Sequence, residues 1–142
     1  MFESYVAGFL DADGSVSLGK DRKGEEYSRR PLVTFYNCDT NILNKIQERW
    51  GGRIKARLPQ NQNSNVSYEL ELNAMESLSL LTDVVPYMLH EKKKKRASLI
   101  VEHYKDCTPR NGKYTTDQME KKKWLVEQVM GTIMRGPGAY SN

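Results

Sequence analysis

Residues 5–14 read Tyr5-Val6-Ala7-Gly8-Phe9-Leu10-Asp11-Ala12-Asp13-Gly14, an apolar helical stretch with small residues along it and two carboxylates directly at its end. The small side chains Ala7, Gly8 and Ala12 let a second backbone approach closely, while Asp11 and Asp13 bring acidic oxygens to that contact. Carboxylates placed there repel one another unless a cation lies between them. The segment therefore reads as a helix-packing surface and a metal ligand in one.

Outward from this stretch, Phe2 to Asp11 forms a first helix that Gly14 ends, and Ser15 to Gly19 alternate polar and apolar as a first strand. Lys20 to Glu26, charged and glycine-containing, is a hairpin loop. Arg30 to Tyr36 is the return strand, with Val33 and Phe35 on its buried face and Arg30, Thr34 and Tyr36 outward. Asp39 or Thr40 caps a second helix, in which Ile42, Leu43, Ile46 and Trp50 recur at helical spacing before Gly51-Gly52 closes it. Arg53 to Arg57 and Ser67 to Leu72 again alternate, joined by the polar loop Pro59 to Asn65, and form a second hairpin. Asn73 and Glu76 make a capping pair for a short helix carrying Leu78 and Leu81, and Pro86 opens a longer helix through Tyr104. After a loop at Thr108 to Lys113, a helix from about Asp117 to Met134 carries the stripe Trp124, Leu125, Gln128, Val129 and Ile133. The glycine-rich end, Arg135 to Asn142, reads as a flexible tail. The expected class is α+β: one domain over residues 1–134, with an αββαββα core to about residue 104 and an added C-terminal helix.

The chain has 142 residues, enough for one domain with a sizeable core, and 22 Lys and Arg against 18 Asp and Glu, for a formal charge of +4 and a pI near 9.0. The basic residues cluster in Arg29-Arg30, in Arg53-Lys55-Arg57, in Lys92 to Arg96 and in Lys121 to Lys123, which favours nucleic acid over a small acidic substrate. Cys38 and Cys107 fit neither a disulfide framework nor a zinc-ligand spacing, so an intracellular, reducing compartment is expected. No apolar run approaches ~20 residues and no secretory leader pattern opens the chain, so neither membrane insertion nor secretion is expected. On the outward sheet face Ser17, Arg30, Thr34, Tyr36, Lys55, Arg57, Ser67, Glu69 and Glu71 mix donors and acceptors suited to base edges and phosphates. Glu69 and Glu71 fit such a face by accepting a cytosine amino hydrogen or by bridging through water or a basic neighbour.

Aligned on Val6 to Gly14, the opening stretch resembles the LAGLIDADG signature of homing endonucleases, with Ala7, Gly8, Asp11, Ala12, Asp13 and Gly14 identical to the consensus. The resemblance implies a saddle of four antiparallel strands whose concave face lies along the DNA major groove. It implies a site-specific double-strand endonuclease, typically intron-encoded, that hydrolyses phosphodiester bonds with a metal-activated water and leaves short 3′ overhangs. One copy of the motif implies a homodimer, with Ala7, Gly8, Asp11 and Ala12 in the helix contact across the two-fold axis and a long, pseudo-palindromic duplex as target.

By the same resemblance, Asp13 is the metal-binding catalytic carboxylate, the Ala12 carbonyl a further ligand, and Asp11 a shaper of the helix junction. Oxygen ligands and phosphates suit Mg²⁺, with Mn²⁺ substituting and Ca²⁺ supporting binding without cleavage. Asp39 falls where the family places a polar residue that organises water; it reads equally as the cap of the second helix. The family's basic residue, four positions before a helix alanine, falls on Lys93 with Ala97 as reference, although any of Lys92 to Lys95 is compatible and a phosphate-binding basic turn is the alternative. A rival of another class is a non-cleaving binder of the same fold, an intron maturase or a transcription regulator; the retention of both aspartates and a lysine favours the nuclease.

Overall fold

The fold is held by helices packed on one face of a single antiparallel sheet, leaving the other face open. The computed structural model describes residues 1–21, 24–58 and 66–134. In chain order the elements are α1 (Phe2–Asp13), β1 (Gly14–Gly19), a 3-10 turn (Glu26–Ser28), β2 (Arg30–Asn37), α2 (Thr40–Trp50), β3 (Arg53–Arg57), β4 (Ser67–Leu72), α3 (Ala74–Val84), a second 3-10 turn (Val85–Tyr87), α4 (Glu91–His103) and α5 (Thr116–Met134). The expected αββαββα order and C-terminal helix are thus present. Arg22 and Lys23 of the first loop, the loop Pro59 to Asn65 and the tail Arg135 to Asn142 lie outside the described residues.

The sheet runs β1-β2-β4-β3, antiparallel throughout. Its centre pairs Phe35 with Leu70 and Thr34 with Glu71, so the two hairpins meet through β2 and β4. Period-two alternation sends Val16, Leu18, Val33, Phe35, Leu70 and Leu72 into the core. They pack there against Val6 and Leu10 of α1, Leu43 and Ile46 of α2, Leu80 and Leu81 of α3, Ile100 of α4 and Leu125 and Val129 of α5. No helix among the described residues is long and apolar enough to cross a membrane.

Local chemistry sets the boundaries. Asp39 caps α2, its carboxylate accepting the Asn41 N–H at 2.8 Å, and Gly51 and Gly52 close that helix at φ 96° and 109°, where a side chain is strained. The expected Asn73–Glu76 capping box is formed on both sides, at 2.9 Å each, and opens α3. Gly14 is required for a different reason. Its backbone is extended, but a Cβ would come within 2.5 Å of the Leu10 side chain and 3.1 Å of the Thr34 carbonyl, so α1 passes directly into β1 only over a bare Cα.

Several expectations are corrected. α1 runs through Asp13, past the expected end at Asp11, so both aspartates lie in its last turn. The single helix from Pro86 to Tyr104 is instead a 3-10 turn, a break at residues 88–90, and α4. The break has two causes: the Leu89 N–H is taken by an Asp11 carboxylate oxygen at 2.7 Å, and His90 Nδ1 caps α4 by accepting the Lys93 N–H at 3.2 Å. On α5, Trp124 leaves the stripe and is 42% exposed, set edge-on to His103, while Lys122 takes a fully buried position. The side chain of Ile133 lies outside the described residues.

Candidate active site and nucleic-acid interface

Both motif aspartates sit where a helix least tolerates them. The last turn of α1 carries unpaired carbonyls and the negative end of the helix dipole, and it contains no basic residue of its own. A site of this kind attracts cations. One arrives from α4: Lys93 Nζ donates to the carbonyls of Leu10 at 3.2 Å and Asp11 at 2.8 Å. Burial, then the neighbouring Arg96 charge, lowers the Lys93 pKa below its ordinary value, while Asp11 and Asp13 pull it back up. The structure thus brings the lysine chosen from the Lys92 to Lys95 run against the motif.

The two acids are treated differently. Asp11 is half-buried; one oxygen holds Leu89 N–H, and the other is buried without a hydrogen-bond partner among the described residues. Asp13 is exposed, with no hydrogen bond or ion pair among the described residues, and feels Lys93 only through space. Ala12 beside it is exposed too. No cluster of three or more His, Cys, Asp or Glu that could close around a metal exists among the described residues. An oxygen-only site with one free carboxylate suits a hard cation that keeps most of its water and takes further ligands from phosphate.

α1 also presents an exposed stripe. Met1, Tyr5, Gly8 and Ala12 are exposed at helical spacing, and a Cβ on Gly8 would meet nothing within 4 Å. Ala7 is corrected out of the expected contact set: at 0% exposure it belongs to the chain's own core and not to this exposed stripe.

A profile described as LAGLIDADG endonuclease matches residues 6–104. The chain belongs to this family. Among solved structures, the homing endonuclease I-CvuI in complex with the I-CreI target is similar at 22% identity and a TM-score of 0.61, over 96% of this chain and 84% of that one; its DNA is not cleaved in 2 mM Mg. The group I intron-encoded I-CeuI complexed with DNA is similar at 17% identity and 0.62, over 99% and 69% of the two chains. I-GzeII, a LAGLIDADG homing endonuclease in complex with its DNA target, is similar at 17% and 0.58, over 98% of this chain but 46% of that one. No curated protein sequence matches the chain.

On the open face of this LAGLIDADG sheet, most of the residues expected to point outward do so, and several are already engaged with one another. Glu71 is held by Lys55 at 2.6 Å and lies 3.9 Å from Arg53. The Arg57 guanidinium stacks over the Tyr36 ring at 5.0 Å. Ser17, Ser67 and Glu69 occupy half-buried outward positions, with Glu69 between Tyr36 and Lys55 in register. Arg30 is exposed at the outer end of β2, where its charge reaches Tyr104 and Lys122. Thr34 departs from expectation. Its parity is outward but it is only 5% exposed, because Ser15 Oγ at 2.5 Å and Tyr36 Oη at 3.3 Å close over its hydroxyl.

Arg53, expected only as part of a basic cluster, and Ser15 also share this face. The parity of Arg53 with Lys55 and Arg57 was the available signal. Asp39 stands exposed as the α2 cap just past the end of β2, on the same end of the β1–β2 ladder where Gly14 pairs with Phe35. One of its oxygens is thus committed to the Asn41 N–H.

Proposed function

We propose that two copies of this chain pack across the exposed stripe of α1 and hydrolyse both strands of a long, pseudo-palindromic DNA duplex, leaving short 3′ overhangs. The carrying observation is the division between the aspartates: Asp11 is tied into the chain, whereas Asp13 is free and exposed at the negative end of α1. The coverage of under half of I-GzeII is what a chain contributing one of two such units would give, and supports the homodimer.

In this reading Asp13, with the Ala12 carbonyl, holds a divalent ion, Mg²⁺ by the hardness of its oxygen donors, with Mn²⁺ in its place and Ca²⁺ supporting binding alone. When bound, that ion supplies an activated water and charge for the leaving 3′ oxygen. Lys93, anchored on the Leu10 and Asp11 carbonyls, holds a positive charge beside the scissile phosphates. Asp39 keeps one oxygen for α2 and has the other to order water. Lys55, Arg57, Arg30, Ser17 and Ser67 contact backbone and base edges, Tyr36 and Thr34 form a stiff platform among them, and Glu69 and Glu71 supply acceptors.

The test selects bound duplexes from a randomised library in Ca²⁺, then compares wild type with Asp13→Asn on the selected duplex in Mg²⁺. Binding by both proteins and double-strand cutting by wild type alone is expected. Cutting by the variant overturns the assignment of Asp13. Binding without cutting by wild type overturns the nuclease reading in favour of a regulator or maturase.

A further inference from the structure

The α1–β1 junction is gripped on both sides of Asp13 by one helix. Lys93 and Arg96 are three residues apart on α4 and project from one face of it. Lys93 Nζ bonds the Leu10 and Asp11 carbonyls before Asp13, at 3.2 Å and 2.8 Å. Arg96 Nε donates to the Val16 carbonyl after Asp13, at 3.0 Å. Arg96 is itself buried, so its guanidinium has been taken out of water to make this contact.

The need for it follows from topology. Among the described residues β1 is an edge strand, and no strand meets the backbone groups on its outer side. Side chains meet them instead: Arg96 at the Val16 carbonyl, Arg29 Nη1 at the Leu18 carbonyl at 2.9 Å, and Met130 Sδ at the Leu18 N–H at 3.5 Å. An apolar side chain at 96 would fill the same space and spare the cost of burying a charge, but would leave the Val16 carbonyl unpaired and that end of the junction unanchored.

We propose that Arg96 is a positioning residue for the reacting centre, fixing the Val16 end of the junction while Lys93 fixes the Leu10 end, so that α4 sets where the Asp13 carboxylate stands. The inference rests on the reading of Asp13 as the catalytic carboxylate. It assigns Arg96 no contact with DNA or metal.

Arg96→Met removes the donor and Arg96→Lys keeps a shorter cationic one. On a duplex that wild type cuts, Arg96→Met is expected to lower the single-turnover cleavage rate by about 10- to 100-fold, the scale of an ångström-level misplacement. Its affinity for that duplex in Ca²⁺ stays within about threefold, and Arg96→Lys recovers at least part of the rate. In the metal-free protein, amide exchange rises in the 10–18 segment and not across the sheet. Cleavage by Arg96→Met at the wild-type rate overturns the proposal, as does a parallel loss of affinity and rate, or a uniform rise in exchange. If Arg96→Met does not fold, Arg96→Lys carries the same readings: slower cleavage with unchanged affinity and local exchange supports the proposal, and wild-type behaviour in all three overturns it. A wild-type protein that cuts no duplex is a different failure, that of the nuclease reading, and the exchange measurement still decides whether Arg96 holds the junction.

Discussion

Asparagine in place of Asp13 and asparagine in place of Asp11 are expected to move the stability of the metal-free protein in opposite directions. Asp13 is an exposed carboxylate in the last turn of α1, with no basic residue in that turn and no hydrogen bond among the described residues. Neutralising an acid at a helix C-terminus relieves ~0.3–1 kcal/mol, which for a domain of this size raises the midpoint of thermal unfolding by roughly 1–3 °C. In the proposed dimer the relief would be larger, since carboxylates ~5 Å apart repel by about 3 kcal/mol at an effective dielectric of ~20. Asp11 is the contrary case. Its 2.7 Å bond from Leu89 N–H is charge-assisted, and its second oxygen is buried, so asparagine weakens the first contact and buries an amide group without a partner. A loss of about 1–2 kcal/mol follows, or roughly 3–6 °C.

Both variants are compared with wild type by thermal and urea unfolding in EDTA, then in Ca²⁺ with a bound duplex. A ligand at 100 times its dissociation constant stabilises by about 2.7 kcal/mol; the duplex is expected to stabilise both proteins, and the further increment that Ca²⁺ adds to wild type is expected to be lost in Asp13→Asn. Destabilisation of the EDTA form by Asp13→Asn of more than ~1 kcal/mol would refute the reasoning, because the carboxylate would then be held inside the chain rather than awaiting a cation. A neutral Asp11→Asn would equally remove the junction role of Asp11.

Lys93→Met is expected to lower cleavage about 100-fold while affinity in Ca²⁺ falls less than tenfold, a split read from single-turnover and binding assays. Gly8→Leu has open space in the single chain, so it leaves the fold intact but weakens self-association at least tenfold by sedimentation equilibrium; unchanged association would place the dimer contact elsewhere. Glu69→Gln is expected to shift preference at one base pair from cytosine to adenine by about 1–3 kcal/mol, scored by repeating the duplex selection. Lys122, fully buried, donates to Thr108 and Tyr114 and lies over two tyrosine rings, and burial brings its pKa from 10.5 down to about 8. Below pH 8 both states carry the proton and the burial penalty is fully present; from about 8 to about 10.5 the unfolded chain binds more protons, so stability rises with pH. Urea unfolding at intervals between pH 7 and pH 10 is expected to show a rise for wild type that Lys122→Met lacks.

The elements whose signals are local were legible in the sequence. Alternation placed Val33 and Phe35 in the core, and the Asn73–Glu76 pair marked the start of α3, because strand parity and capping need only neighbouring residues. What escaped was decided across the fold. Between Pro86 and Tyr104 the only local sign of a break at residues 88–90 is His90, outside the usual capping residues, and the oxygen that takes the Leu89 N–H belongs to Asp11, 78 positions away. Thr34 had the right parity and the wrong exposure because Ser15 and Tyr36 close over it. Lys122 was invisible to an apolar stripe, since what admits a lysine there is the pair of hydroxyls on Thr108 and Tyr114.

The motif stands out in the sequence for a physical reason. Small residues followed by two acids at a helix C-terminus violate local preference, and natural chains tend to break such rules where function requires it. Local preference alone does not say which acid is which, since both break the same rule; the resemblance is what assigns the metal to Asp13 and the junction to Asp11. The fold separates them by what answers each charge. For Asp11 the answer is internal, a backbone N–H from the α4 entry and the Lys93 ammonium on its carbonyl. For Asp13 there is none among the described residues, and the helix that supplies Lys93 and Arg96 grips the backbone on either side of it without touching its carboxylate. A charge so firmly held in place, yet without a hydrogen bond or ion pair among the described residues, is in the position to bind a cation from outside the chain.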